Sequence, residues 1–278
     1  MTDRTLAGRT ILMSGGSRGI GLAIAVAAAR QGANVALLAK TDLPDPRLPG
    51  TIHTAAAEIE QAGGAALPIV GDVRSEESVT GAVERTVAAF GGIDIVVNNA
   101  SAIALNSTET LPTKRFDLMQ QIELRGTWLL TKHSIPHLRG SANPHILSLS
   151  PPLNLSPRWL GAHPGYTLAK YGMSILTLGW AAEFASAGIA ANTLWPESII
   201  ATAAVQNLLG GDAAMQRART PEILADAAMV ILATPSRELT GESLIDVDVL
   251  RGAGITDLSA YGGGDDLQYD LYVDPPQY

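Results

Sequence analysis

Six short apolar runs, each followed by a longer helical stretch, leave this chain very few ways to fold. TILMS (10–14), NVALLA (34–39), ALPIV (66–70), IDIVV (93–97), HILSLS (145–150) and IAANTLW (189–195) read as strands buried on both faces, because they are apolar throughout rather than at every second residue. Stretches such as AIAVAAARQ and SVTGAVERTVAAF between them suit helices, and Gly32, Gly63, Gly64, Gly91 and Gly92 stand where helix C-caps fall. Such an alternation predicts one α/β domain over residues 1–261: a Rossmann-type, doubly wound parallel sheet with helices on both faces. Crossovers would be right-handed, and ligands would gather at the C-terminal ends of the strands. TDLPDPRLPG (41–50) and PPLNLSPRWLGAHP (151–164) are expected to be long loops, and GGGDDLQYDLYVDPPQY (262–278) a separate tail, disordered or clasped to a partner subunit.

A chain of 278 residues can bury a sizeable core. Its net charge of −8 argues against a nucleic-acid or anionic-membrane surface. Without cysteine there are no disulfides, no thiolate chemistry and no cysteine metal sites. MTDRTLAGRT lacks the basic-then-apolar order of a leader, and no run of about 18 apolar residues occurs, so a cytoplasmic protein is expected. His133 and His137 are four apart in TKHSIPHLRG, but Pro136 is expected to break the helix between them and no third ligand is evident. No metal site is expected.

MSGGSRGIG (13–21) follows the first strand and opens the first helix. Gly15, Gly19 and Gly21 would let the backbone turn tightly and approach a pyrophosphate, whose charge would rest on the helix N-terminus. Ser17, Arg18 and Ile20 share that loop. Lys40 closes the second strand, where the adenosine ribose of a dinucleotide would lie. A carboxylate there binds the 2′-hydroxyl of NAD, whereas a cation fits a 2′-phosphate, so the expected cofactor is NADP(H). Arg18 could stack or pair beside it.

GYTLAKYGMS (165–174) places Tyr166 and Lys170 on one face of a helix. A free phenol, with a pKa near 10, is a poor base at neutral pH. A lysine charge about 4 Å away, at an effective dielectric near 20, is worth about 4 kcal/mol, enough to draw the phenol toward neutrality. By spacing alone, two such residues are more often a chance surface pair.

Taken together, SGGSRGIG, DV (72–73), VNNAS (97–101), YTLAK (166–170) and LWPESIIAT (194–202) resemble the short-chain dehydrogenase/reductase superfamily, over the chain to about residue 250. Within it, AKTDLPDPRLPGTIHTAAAEIE (39–60), SPPLNLSPRWL (150–160) and LAKYGMS (168–174) are similar to a hydroxysteroid dehydrogenase-like subgroup whose members often carry a sterol-carrier domain. The resemblance implies that Tyr166 is a general acid/base and that Lys170 lowers its pKa and holds the nicotinamide ribose. It also implies that Asp72 and Val73 meet the adenine, that Asn99 and Ala100 line the cofactor, that Asn98 serves the sheet, and that Pro196, Ile199 and Thr202 face the nicotinamide. A homo-dimer or homo-tetramer is implied as well.

Two positions depart from the family pattern. Its usual serine falls on Pro151, which has neither hydroxyl nor N–H. Ser150 is the neighbouring candidate, but strand alternation points it to the opposite face unless the prolines bend the chain. The usual asparagine falls on Glu123, which could anchor a water, pair with Lys170 and damp its effect on Tyr166, or bond Arg125. Leu153, Leu155, Trp159, Leu160, Ile199, Ile200, Leu208 and Leu209 are expected in loops around the nicotinamide, or in ordinary loop packing. The expectation is an NADP(H)-dependent oxidoreductase acting on an apolar carbonyl or secondary alcohol. Its rival is a cofactor-binding protein with little catalysis.

Overall fold

The computed structural model describes residues 5–45, 49–208, 210–264 and 266–275; Leu209 and the two ends of the chain lie outside the described residues, as does the Leu208 side chain. In chain order the elements are β1 (Thr10–Ser14), α1 (Gly19–Arg30), β2 (Asn34–Ala39), α2 (Ile52–Gln61), β3 (Ala65–Val70), α3 (Glu76–Phe90), β4 (Ile95–Asn98), α4 (Thr113–Met119) and α5 (Gly126–Leu138). They continue with β5 (His145–Ser148), α6 (Pro157–Ala162), α7 (Pro164–Glu183), β6 (Ala190–Trp195), α8 (Ala203–Leu208), α9 (Gly211–Gln216), α10 (Glu222–Ala233), β7 (Ser243–Ile245) and α11 (Asp246–Gly252). The sheet is parallel throughout, in the order β3-β2-β1-β4-β5-β6-β7. Chain order reverses between β1 and β4, and this crevice is where an open α/β sheet takes its ligands.

Alternation within each strand feeds two buried layers. Ile11 and Met13 of β1, with Val35 and Leu37 of β2, pack on one side with Ile24, Ile59 and Leu224 of α1, α2 and α10. Leu12, Ala36 and Leu38 pack on the other with Val79, Leu129, Leu130 and Trp180 of α3, α5 and α7. Burial on both faces is why these runs contain so few polar residues. No helix among the described residues is long and apolar enough to cross a membrane.

Three local features differ from expectation. β5 ends at Ser148 rather than at residue 150. Leu149 still bonds the Asn98 carbonyl, but the Ser150 N–H turns back onto Ser148 O at 2.9 Å, a three-residue turn that closes the strand before the prolines. α5 runs unbroken across Pro136, which lies so near the helix end that it interrupts little. Between α4 and α5, residues Gln120–Arg125 form a π-turn, a widening often found at functional sites.

Candidate active site

The glycine loop is built to face something small and anionic. Gly15 has φ +74, and a Cβ there would lie 2.8 Å from Ala100 Cα. A Cβ on Gly19, at φ +56, would come 3.4 Å from the Thr202 methyl, so the loop meets the segment 196–202. Asn99 Nδ2 donates to Ser14 O at 3.3 Å and to Gly15 O at 2.8 Å, and Ala100 N donates to Ser14 Oγ at 3.2 Å; together they fix the loop to the end of β4. Arg18, the N-cap of α1, makes no side-chain cap bond, which leaves the first-turn N–H groups of this 12-residue helix without a side-chain partner. A dinucleotide pyrophosphate fits this cradle, with Gly15, Ser17, Gly19, Ile20 and Gly21 around it.

At the adenosine end, the Lys40 side chain is 56% exposed and stands 3.6 Å from Asp72. Arg74 holds Asp72 with both faces of its guanidinium edge, at 2.6 to 3.0 Å, and this bond lowers the Asp72 carboxyl to about 2. Arg18 Nη2 donates to Gly50 O at 2.9 Å, while Asp42 is engaged by His53 at 2.7 Å. Val73 is buried against Gly126. Asn98 bonds Thr131 and Ser148 within the sheet.

Tyr166 and Lys170 lie on the inner face of α7, each only 3% exposed. Lys170 Nζ donates to Leu149 O at 3.1 Å and stands 3.7 Å from Glu123 Oε1. Glu123 is presented by the π-turn, is fully buried, and accepts a short bond from Ser101 Oγ. Arg125 instead donates to Arg74 O, so Glu123 is left to Lys170 and Ser101 rather than to Arg125. The electrostatics run against the neutral-range phenol expected from spacing. Burial raises Tyr166 well above the usual phenol value, and the Glu123 carboxylate pushes the same way, partly opposed by a hydrogen bond from Ser101. Burial also pushes the Lys170 ammonium down and the Glu123 carboxyl up.

Ser150 stands beside the position that lacks a donor. Its Oγ is buried and, among the described residues, without a hydrogen-bond partner, and Pro151 O is occupied by Ser174 Oγ at 2.6 Å. If Ser150 faces away from the substrate, Ser150→Ala should leave turnover within a few-fold and thermal stability unchanged or slightly raised, since it removes a buried polar group that has no partner. A rate loss of about 10² or more, with fold intact, would show instead that Ser150 acts as an oxyanion donor.

Residues 266–275 belong to the tail expected to be disordered or clasped to a partner subunit; they lie across the site of their own chain. Gln268 O accepts from Ile199 N at 2.9 Å, Asp270 N donates to Glu197 O at 3.0 Å, and Tyr269 pairs with Ser198 in an antiparallel bridge. Trp195 Nε1 donates to Leu271 O at 2.9 Å. Tyr272 then inserts among Tyr166, Trp159, Tyr171 and Trp195, its hydroxyl 3.1 Å from Thr167 Oγ1. Trp159 and Ile199 of the expected apolar lining are buried, whereas Leu155 points to solvent. Ser101, Asp270 and Tyr272 were given no role from sequence. Ser101 sits inside the VNNAS motif, and three tyrosines in so polar a tail are the signal that could have marked the strap.

The chain is similar to known proteins over most of its length. The family model described as enoyl-(acyl carrier protein) reductase matches residues 15–248. Hydroxysteroid dehydrogenase-like protein 2 of Danio rerio is 54% identical over 271 residues, which cover 97% of this chain and 65% of that protein. The chain thus spans just under two thirds of that relative's length. The crystal structure of a short chain dehydrogenase from Mycobacterium thermoresistibile is 59% identical, with a TM-score of 0.92 over 98% of this chain and 99% of that one. An NADH-dependent reductase complexed with NAD is 27% identical, with a TM-score of 0.71 over 88% of this chain and 97% of that one.

Proposed function

Because the chain belongs to the short-chain dehydrogenase/reductase superfamily, we propose that it is an NADP(H)-dependent oxidoreductase acting on an apolar carbonyl or secondary alcohol, with Tyr166 as its general acid/base. The observation that carries this reading is the continuity of the site. Lys170 is tied to Leu149, Leu149 to Asn98, and the adjoining Asn99 to Gly15, so the Tyr166–Lys170 face of α7 is anchored to the glycine loop. When bound, the nicotinamide supplies the hydride donor or acceptor. Gly15, Ser17, Gly19, Ile20 and Gly21 would hold the pyrophosphate; Arg18, Lys40, Asp72 and Val73 the adenosine end; Asn99, Ala100, Pro196, Ile199, Thr202 and Lys170 the nicotinamide end.

Tyr166 holds its proton at neutral pH, because burial and Glu123 both disfavour the phenolate. That suits donation to a carbonyl oxygen, and supports reduction over oxidation as the working direction. Ser101 Oγ donates to Glu123 and holds that carboxylate beside Lys170. Pro151 offers the substrate oxygen no hydroxyl, which makes Tyr166 the principal donor on the reading that Ser150 faces away from it. The test is NADPH consumption against a panel of aliphatic, aromatic and steroid ketones. Tyr166-dependent turnover of at least one is the expected result, and none across the panel would favour a cofactor-binding protein with little catalysis.

The choice of dinucleotide rests on Lys40, whose exposed ammonium can exchange Asp72 for a 2′-phosphate. Charge-assisted contacts are worth about 1.5–3 kcal/mol, so NADPH should bind about tenfold or more tighter than NADH. Lys40→Asp should erase or reverse the preference. Equal affinities in a fluorescence titration, unchanged by the substitution, would remove the NADP(H) assignment and leave the reaction class standing.

A further inference from the structure

We propose that Tyr272, carried on the strap 266–275, forms one wall of the substrate site and limits the size of the carbonyl substituent that can lie beside Tyr166. The inference rests on the oxidoreductase reading above and adds a specificity residue outside the nicotinamide-binding motifs.

The strap joins the two loops that flank the catalytic phenol. On one side it is bonded to the segment 196–202 through Glu197, Ser198 and Ile199. On the other, Asp274 accepts from Trp159 Nε1 at 3.0 Å and from Asn154 Nδ2 at 2.7 Å, with Arg158 3.6 Å away. Between these two clamps the backbone passes through Tyr272 at φ +70, the one positive φ outside glycine among the described residues. A bulky residue in the left-handed region is strained, by about 1–3 kcal/mol, and persists only where its surroundings over-determine it. Here the surroundings are an aromatic cage. The Tyr272 ring is 2% exposed, with centroids 5.0 Å from Tyr171, 5.7 Å from Trp159, 6.2 Å from Trp195 and 6.4 Å from Tyr166, the last stacked at 25°. Its one polar atom is used up by Thr167. What a substrate meets at this wall is therefore apolar and flat, which favours an unbranched or planar apolar ketone and excludes bulk on that side.

Removing the ring should open the wall. A large-to-small truncation in an apolar cage leaves a dry hollow able to take a benzene-sized group. In Tyr272→Ala, the ratio of kcat/KM for phenyl-bearing to small methyl ketones should rise at least about tenfold over wild type, with NADPH affinity within about twofold. Tyr272→Phe should keep the wild-type profile. Tyr272→Leu, which still fills part of the cage, should shift the ratio less, and serves if the alanine variant fails to fold. Binding of the same ketones, read from the fluorescence of Trp159 and Trp195 in the NADP⁺-loaded protein, needs no hydride transfer. If no ketone is turned over, yet the shortened side chain admits the larger ones, the reaction class falls and the wall stands. An unchanged size ratio, a loss uniform across the series, or no ketone binding to any variant overturns the proposal.

Discussion

Tyr166→Phe is expected to lower ketone reduction by a factor on the order of 10³, while leaving NADPH affinity and the melting temperature close to wild type. General acid catalysis by a positioned group contributes about 10²–10⁴, and the upper part of that range applies where no second hydroxyl shares the substrate oxygen. On the reading that Ser150 faces away from the substrate, Pro151 has none to give and none takes its place. Phenylalanine fills the same buried space and loses only the hydroxyl, so a folding defect is not expected. Steady-state NADPH oxidation beside a cofactor titration separates the two effects. A variant that turns over ketones within tenfold of wild type would mean that the proton comes from elsewhere.

Glu123→Gln should act in the opposite sense on the oxidative reaction. The carboxylate is buried, pairs with Lys170 at 3.7 Å and pushes the phenol of Tyr166 upward. Removing a negative charge stabilises the phenolate, so the Tyr166 pKa falls and the proton acceptor needed for alcohol oxidation becomes more abundant near neutral pH. Repulsion between a buried carboxylate and a nearby phenolate at an effective dielectric near 20 is on the order of 1–2 kcal/mol, so oxidation at neutral to mildly alkaline pH should speed up by about tenfold. The alkaline fall-off of ketone reduction should move to lower pH in the same variant, because the acid is lost sooner. Paired pH–rate profiles in the two directions check this. Profiles that superimpose on wild type would show that Glu123 is electrically silent toward the phenol.

Much of this arrangement is legible in the chain itself, for a physical reason. A parallel sheet covered on both faces writes its strands as continuous apolar runs, and β1 to β6 are read that way with small errors at their ends. β7 escapes because three partly buried residues, Ser243–Ile245, give no run to recognise. The glycine loop and the Tyr166–Lys170 spacing are local features and could be read as such. What could not be read depends on segments far apart in sequence. Proximity to Lys170 suggested an acidified phenol; the depth of α7 and the Glu123 that the π-turn delivers act the other way, and neither is written in the local spacing. The strap was hidden for a similar reason: its Gly- and Asp-rich composition is that of a loop, and the cage that orders Tyr272 is assembled from Trp159, the start of α7 and the end of β6.

The strap is also a cheap way to enclose a phenol. The bond between Asn154 and Asp274 closes a separation of 120 residues, whereas the glycine loop and its Asn99 latch are 84 apart. Closure entropy grows so slowly with loop length that the two spans differ by only about 0.3 kcal/mol. Drawing the far end of the polypeptide over Tyr166 therefore costs little more than joining two neighbouring strands, and one segment shields from solvent what would otherwise need a separate covering layer.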